Sequence, residues 1–157
     1  MAEIFAWLIP SPIGTLALLE QDQMIIRLTC SASLPDNIIY NKTPLLAEAE
    51  KQINEYFAGS RRDFTLPLKV TGSSFAIKVY NALLDIPYGE TRSYKEIAEA
   101  AGSPKAFRAV GRANHDNPIM LIVPCHRVIG SNGKMTGYAY GTDMKKYLLE
   151  HEKQYHE

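Results

Sequence analysis

Cysteine is scarce in this 157-residue chain: there are two, Cys30 and Cys125, far apart in sequence. That spacing excludes a disulfide framework and matches no metal-ligand motif. Long apolar runs are missing too. Stretches such as Ile119 to Val123 fall far short of the roughly 20 residues that span a bilayer as a helix. The opening residues, Met1-Ala2-Glu3-Ile4-Phe5, show no basic region leading into a long apolar stretch, so they do not read as a secretory signal. Net charge is absent, with 17 basic residues against 17 acidic ones, so whole-chain charge announces no polyanionic partner. No internal repeat or low-complexity tract is visible. These absences lead us to expect a cytoplasmic protein with reduced thiols and no metal.

What is present suits one compact unit or two small subdomains: 46% of residues are hydrophobic. The charge is also unevenly spread. From Arg92 to Lys134 there are seven Lys/Arg and three Asp/Glu, an excess of four positive charges that the remainder balances. A basic segment in a neutral protein fits a one-sided phosphate-binding face, and it also fits a chance fluctuation.

Residues Ile4 to Thr29 alternate short apolar runs with turn signals such as Pro10-Ser11-Pro12-Ile13-Gly14, which predicts a strand meander. Thr43-Pro44 offers an N-cap followed by proline at the first helical position. Leu45, Leu46, Ala49, Ile53, Tyr56 and Phe57 then recur at helical spacing, and Gly59 supplies a stop. A subdomain boundary is expected near residues 67 to 73, dividing the chain into 1–70 and 71–157. Beyond it, Ser73 or Ser74 can cap a helix running to about Leu84.

Ser93-Tyr94-Lys95-Glu96 matches a capping box, a serine cap with glutamate three residues on. Ile97, Ala98 and Ala101 give that helix an apolar face, and Gly102 ends it. Ser103-Pro104 is expected to start a further helix reaching about Asn114, carrying Lys105, Arg108 and Arg112 with the small residues Ala106, Ala109 and Gly111 between them. Two short helices joined by a glycine-containing turn form a helix-turn-helix pattern. Small residues permit close backbone approach, and arginines four apart share a face. An ordinary helical hairpin with solvated basic residues would look the same.

Ile119 to Val123 reads as a short buried strand ending at Pro124, followed directly by Cys125, His126 and Arg127, with Val128-Ile129 continuing. Alone, such a cysteine is a small core hydrophobe. Its neighbours weaken that reading, because the thiolate is the nucleophile and nearby His and Arg lower a thiol's pKa. Side chains adjacent in an extended segment point opposite ways, so His126 need not touch Cys125 directly, and a bridging water can link the two. A base works better when a third group orients it. A C-terminal helix from about Thr142 aligns Met144, Leu148 and Glu152. An inward carboxylate needs a partner, which makes Glu152 a candidate for His126; a solvated helix-end glutamate is the alternative.

Pro124-Cys125-His126-Arg127-Val128 resembles the active-site signature of the O6-alkylguanine-DNA alkyltransferases, the methylated-DNA–protein-cysteine methyltransferases. The resemblance runs through nearly the whole chain. It takes in Tyr56-Phe57-Ala58-Gly59, Ile86-Pro87-Tyr88-Gly89-Glu90, Ser93-Tyr94, Gly102-Ser103-Pro104-Lys105-Ala106, Arg108-Ala109-Val110-Gly111, Asn117-Pro118, Gly137-Tyr138 and Leu148-Leu149-Glu150-His151-Glu152. It implies an α+β protein: an N-terminal α/β, ribonuclease H-like subdomain, then a mostly helical DNA-binding subdomain with the helix-turn-helix.

It further implies direct-reversal repair without a cofactor, acting as a monomer on double-stranded DNA containing O6-alkylguanine, with O4-alkylthymine left open as a second substrate. The helix-turn-helix would enter the minor groove. Arg108 would fill the gap left by a flipped nucleotide, and Tyr94 would crowd the 3′ phosphate. Ser93, Lys105, Ala109 and Arg112 would complete the DNA face. Asn117 would brace the turn and the cysteine segment. Cys125 would accept the alkyl group, with His126 as base through water and Glu152 orienting it. Tyr138 and the backbone at Val128 and Ala139 would line the base pocket, with Lys145 near the cysteine.

Flipping is needed because the alkyl carbon is stacked inside the duplex. The thioether product is stable, so each molecule acts once. The chain departs from relatives at Thr136 and at Ala139-Tyr140, where bulky Tyr140 leaves the accepted alkyl size open. It also lacks the N-terminal histidines of a structural zinc site. Two rival readings share parts of this pattern: a lesion-binding protein without chemistry, which needs no nucleophile, and a Cys-His hydrolase, which needs no DNA.

Overall fold

The structure, a computed structural model, describes residues 2–30, 33–133 and 138–156. The chain forms two compact units, Met1–Val70 and Thr71–Glu157.

In the first unit, β1 (Ile4–Ile9), β2 (Leu16–Gln21), β3 (Met24–Thr29) and β4 (Ile38–Tyr40) form one sheet in the order β3-β2-β1-β4. The meander over Ile4 to Thr29 is antiparallel throughout, while β4 joins β1 in parallel. Sequence reasoning missed β4: it has three residues, and Ile39 and Tyr40 are exposed, so no alternation marks it. Five consecutive residues of β2 are buried, as befits an interior strand covered on both faces. Ala6, Ala17 and Leu19 form the core on one face, with Ile4, Ile26, Leu34 and Ile38 packed around them.

Helix α1 (Pro44–Ala58) packs on β1 and β2 through Leu46, Ala49, Ile53 and Tyr56. The Thr43 hydroxyl accepts from Leu46 N at its start. Gly59 ends it at φ 84°, a left-handed conformation that costs glycine little. The chain then returns along β3: Ile25 N donates to Pro67 O and Lys69 N to Ile25 O, which covers part of that sheet edge.

The second unit is mainly helical: α2 (Ser74–Leu84), α3 (Tyr94–Ala100), α4 (Phe107–His115) and α5 (Thr142–Gln154). Helices α2, α3 and α4 pack on one another, and the Tyr80 hydroxyl donates to Ala113 O at 2.9 Å. Burial pushes the Tyr80 phenol up to about 12, so that donor stays protonated. The capping box at Ser93 is formed in both directions. Two short strands, β5 (Arg92–Ser93) and β6 (Val128–Ile129), pair in parallel, which ties the start of α3 to the segment after Cys125.

Two expectations are corrected here. Helix α4 starts at Phe107, not at Ser103-Pro104. Residues 103–106 form a turn closed by Ala106 N donating to Ser103 O, so Lys105 precedes the helix. Ile119 to Val123 is not a strand but a pair of tight turns, with Val123 N donating to Ile119 O and Leu121 at φ 68°. Among the described residues no helix is long and apolar enough to cross a membrane.

Candidate active site

Cys125 opens a single 3-10 turn, Cys125–Arg127, rather than ending a strand. Asn117 fixes the approach to it. Its Nδ2 donates to Val123 O at 2.8 Å and its Oδ1 accepts from Ile119 N at 3.0 Å. One buried side chain thereby satisfies two backbone groups that the turns leave without a strand partner. This also explains the failed strand expectation: Pro118 and Pro124 lack N–H donors, and Asn117 supplies the local alternative. From α4, Asn114 Nδ2 donates to Cys125 O at 3.2 Å. The thiol is thus held by its backbone on both sides.

The same 3-10 turn sends His126 and Arg127 into the interior, against α5. His126 Nε2 lies 2.6 Å from Glu152 Oε2. Arg127 grips the same carboxylate with a fork, Nε to Oε1 at 2.8 Å and Nη2 to Oε2 at 3.0 Å. Its remaining Nη1 donates to Ile86 O at 2.8 Å, and its guanidinium lies 5.6 Å from the Tyr88 ring centre. Gly89 N donates to Glu152 Oε1 at 3.1 Å. His126 Nδ1 is buried with no partner among the described residues.

Electrostatics assign protonation states to this cluster. Burial alone would raise the Glu152 carboxyl, but the hydrogen bonds from His126 and Arg127, with the Arg127 charge, outweigh it and hold the group well below the usual carboxylate range. Burial pushes the His126 imidazole down, further aided by Arg127 and Lys145 and only partly opposed by Glu152. The resting pair is therefore a neutral imidazole donating Nε2–H to an ionised carboxylate, which leaves the Nδ1 lone pair available as a base.

Cys125 is 1% exposed, and burial pushes its thiol up to about 11, although Asn117, the Lys145 charge and Tyr138 pull the other way. Lys145, from the first turn of α5, is fully buried and lies 5.9 Å from the ring centres of both Tyr94 and Tyr138. Burial brings its ammonium down to about 8, with Cys125 opposing.

The other expected residues fall in two places. Tyr138 and Val128 are buried near this cluster, whereas Ala139 is exposed and Tyr140 sets its ring 5.7 Å from that of Tyr138. Thr136 and Gly137 lie outside the described residues, as does Lys134. Arg108, Ala109 and Lys105 are exposed together at the start of α4. Arg112 is exposed and ion-paired with Asp116 at 3.0 Å. Tyr94 is half-buried at the first position of α3, directly after Ser93, whose hydroxyl caps that helix.

Sequence reasoning missed two residues. From sequence Arg127 is only a cation near the thiol, whereas in the structure it clamps Glu152. From sequence Asn114 is only a helix end, whereas in the structure it holds Cys125 O. A polar residue continuing the buried row of Val110 would have pointed to Asn114. Among the described residues no group of three or more His, Cys, Asp or Glu could hold a metal ion.

Both halves of the chain match known domain families. Residues 4–70 match the 6-O-methylguanine DNA methyltransferase ribonuclease-like domain, and residues 74–154 match the DNA binding domain of the same proteins. The constitutive methylated-DNA–protein-cysteine methyltransferase of Bacillus subtilis is 48% identical over 151 residues, covering 91% of this chain and 92% of that protein. The methyltransferase of the same name from Methanosarcina barkeri is 47% identical over 150 residues, covering 92% and 94%. Among solved structures, Mycobacterium tuberculosis O6-methylguanine methyltransferase superposes with a TM-score of 0.89 at 44% identity, covering 96% of this chain and 93% of that one. The M. tuberculosis OGT protein in complex with DNA superposes with a TM-score of 0.90 at 45% identity, covering 96% and 94%. Relatives near half identical along almost the entire length, together with one family's two domains in order, establish that this chain belongs to the 6-O-methylguanine DNA methyltransferase family.

Proposed function

We propose that this protein repairs O6-alkylated guanine in double-stranded DNA by transferring the alkyl group to the Cys125 sulfur, once per molecule. It acts as a monomer. The observation that carries the reading is the buried His126–Glu152–Arg127 cluster directly beside the thiol, in a chain of this family.

The resting thiol holds its proton, since burial raises its pKa to about 11. His126 removes that proton at Nδ1 through one bridging water. Nε2–H stays on Glu152, whose negative charge stabilises the imidazolium as it forms. The sulfur lone pair attacks the alkyl carbon in line. The S–C bond forms as the C–O6 bond breaks, the electron pair leaves on guanine, and the released base takes up one proton, in balance with the one removed from the thiol. The Tyr138 hydroxyl and the backbone at Val128 and Ala139 donate or accept along the base edge. Lys145 places positive charge near the developing anion. The product thioether has no leaving group that a neutral imidazole could assist, so the site does not regenerate.

The nucleotide must leave the stack for its alkyl carbon to reach a cysteine that is 1% exposed. Tyr94, Ser93, Lys105, Arg108, Ala109 and Arg112 form the DNA face that presents it, with Arg108 occupying the vacated position. Replacing Cys125 by alanine tests the scheme. Transfer from an O6-methylguanine duplex should vanish while duplex binding stays measurable. Transfer that persists in Cys125→Ala would refute the assignment of the acceptor.

A further inference from the structure

The first turn of α4 exposes a large aromatic ring that the scheme above leaves unused. Phe107 is 52% exposed and immediately precedes Arg108. Single exposed hydrophobic side chains are common on protein surfaces, and what sets Phe107 apart is the groove that it lines.

Its surroundings identify the partner. Phe107 lines an open groove with Tyr94, Lys105, Arg108, Gly111 and His115. The floor is apolar: Phe107, the side of Tyr94 and the backbone of Gly111, where a Cβ would come within 3.9 Å of the Tyr94 ring. The rim carries cationic Lys105 and Arg108 with the titratable His115, all exposed, and the nearest acid on α4's surface, Asp116, is already bonded to Arg112 and His115. An apolar floor bordered by cations complements a nucleic-acid strand, whose bases offer flat apolar faces and whose phosphates offer charge. Arg108 shares this groove, so the aromatic ring is continuous with the proposed DNA face.

From this geometry we propose that Phe107 is a DNA wedge: its ring packs on the base pair bordering the extruded nucleotide, beside Arg108, and helps hold the duplex unstacked. This rests on the alkyltransferase reading. It adds a positioning residue that touches neither the reacting carbon nor the sulfur. Arg108 supplies charge and hydrogen bonds within the gap, while Phe107 supplies the apolar surface that replaces part of the lost stacking.

The test compares the full-length protein with Phe107→Ala and Phe107→Leu on two substrates, an O6-methylguanine duplex and a free O6-alkylguanine base. Phe107→Ala should slow transfer from the duplex about tenfold, the worth of one base–aromatic contact, while transfer from the free base holds. Phe107→Leu, which keeps an apolar wedge, should recover most of the duplex rate. A 2-aminopurine placed next to the lesion should brighten less with Phe107→Ala than with the unaltered protein, because less unstacking is held. Equal rates on the duplex for Phe107→Ala and the unaltered protein would overturn the proposal. So would equal loss on both substrates, which would mark Phe107 as a stability residue. If the unaltered protein transfers from neither substrate, the alkyltransferase reading itself fails and the wedge falls with it. Transfer by the unaltered protein with no effect of Phe107→Ala defeats the wedge alone.

Discussion

His126 and Glu152 meet through a 2.6 Å contact between Nε2 and Oε2, with both side chains fully buried. The contact fixes the imidazole tautomer, since an ionised carboxylate can only accept. Arg127 holds the far side of that carboxylate, so the cluster contains one negative and one positive charge plus a neutral ring.

The first prediction concerns acid stability. Both His126 and Glu152 are shifted down from ordinary values of 6.5 and 4.5, so the unfolded chain binds protons more readily than the folded one. Stability from each group is present above its ordinary value and is lost as pH falls toward its folded one. Unfolding by urea should therefore require progressively less denaturant below about pH 6.5, with a second decline below about pH 4.5. Glu152→Gln should flatten the lower decline. It should also cost about 3–5 kcal/mol at pH 7, because Arg127 is left buried without a counter-charge. An unchanged acid profile in Glu152→Gln would contradict the assigned protonation states.

The second concerns the resting thiol. With its pKa raised from 9.0 to about 11, Cys125 at neutral pH should hold roughly a hundredfold less thiolate than an ordinary cysteine. Iodoacetamide labelling, followed by peptide mass, should leave Cys125 largely unmodified in folded protein and modify it fast in urea. Rapid labelling of the folded protein at pH 7 would mean that the thiol is already activated without DNA.

The third concerns Asn117. Asn117→Ala removes both hydrogen bonds of the turn, taking the side-chain acceptor from Ile119 N and leaving Val123 O with only Cys125 N as donor. We expect a loss of about 2–4 kcal/mol in stability, read by denaturant unfolding, together with slower transfer. Asn117→Asp keeps the acceptor for Ile119 N but offers no donor to Val123 O, and it should fall between alanine and the unaltered protein in stability only if the acceptor half matters.

The fourth separates the two arginines of α4. Arg108→Ala should slow transfer from duplex DNA by about tenfold or more while sparing a free O6-alkylguanine base, since it acts on base extrusion. Arg112 is exposed and paired with Asp116, so Arg112→Ala should chiefly weaken duplex binding and lower its salt dependence. Equal loss on duplex and free base in Arg108→Ala would argue against a flipping role.

Local signals in the sequence translated well where one residue does one job. Thr43-Pro44 and Gly59 bound α1, and Ser93 with Glu96 starts α3, because caps are short-range hydrogen bonds that sequence spacing specifies. Glu152 is buried on the row begun by Met144 and Leu148. What failed depended on tertiary competition. Ile119 to Val123 is apolar enough for a strand, but the two prolines and the Asn117 side chain give its backbone other partners. Ser103-Pro104 has the composition of a helix start, yet Ser103 O is taken by Ala106 N in a turn. The parallel pairing of β5 with β6 and the placement of β4 join segments distant in sequence, and neither strand carries a periodic pattern long enough to read. Arg127's grip on Glu152 was hidden for the same reason, since the two residues are 25 positions apart.

The central claim is that Cys125 is a stoichiometric acceptor. Intact-protein mass followed by peptide mapping, after incubation with excess duplex carrying O6-methylguanine, tests it most directly. The account predicts one methyl group per molecule, located on the peptide containing Cys125, with repaired guanine appearing in equal amount and no further turnover. Well-folded protein that carries no adduct, or that repairs more lesions than there are protein molecules, would contradict it.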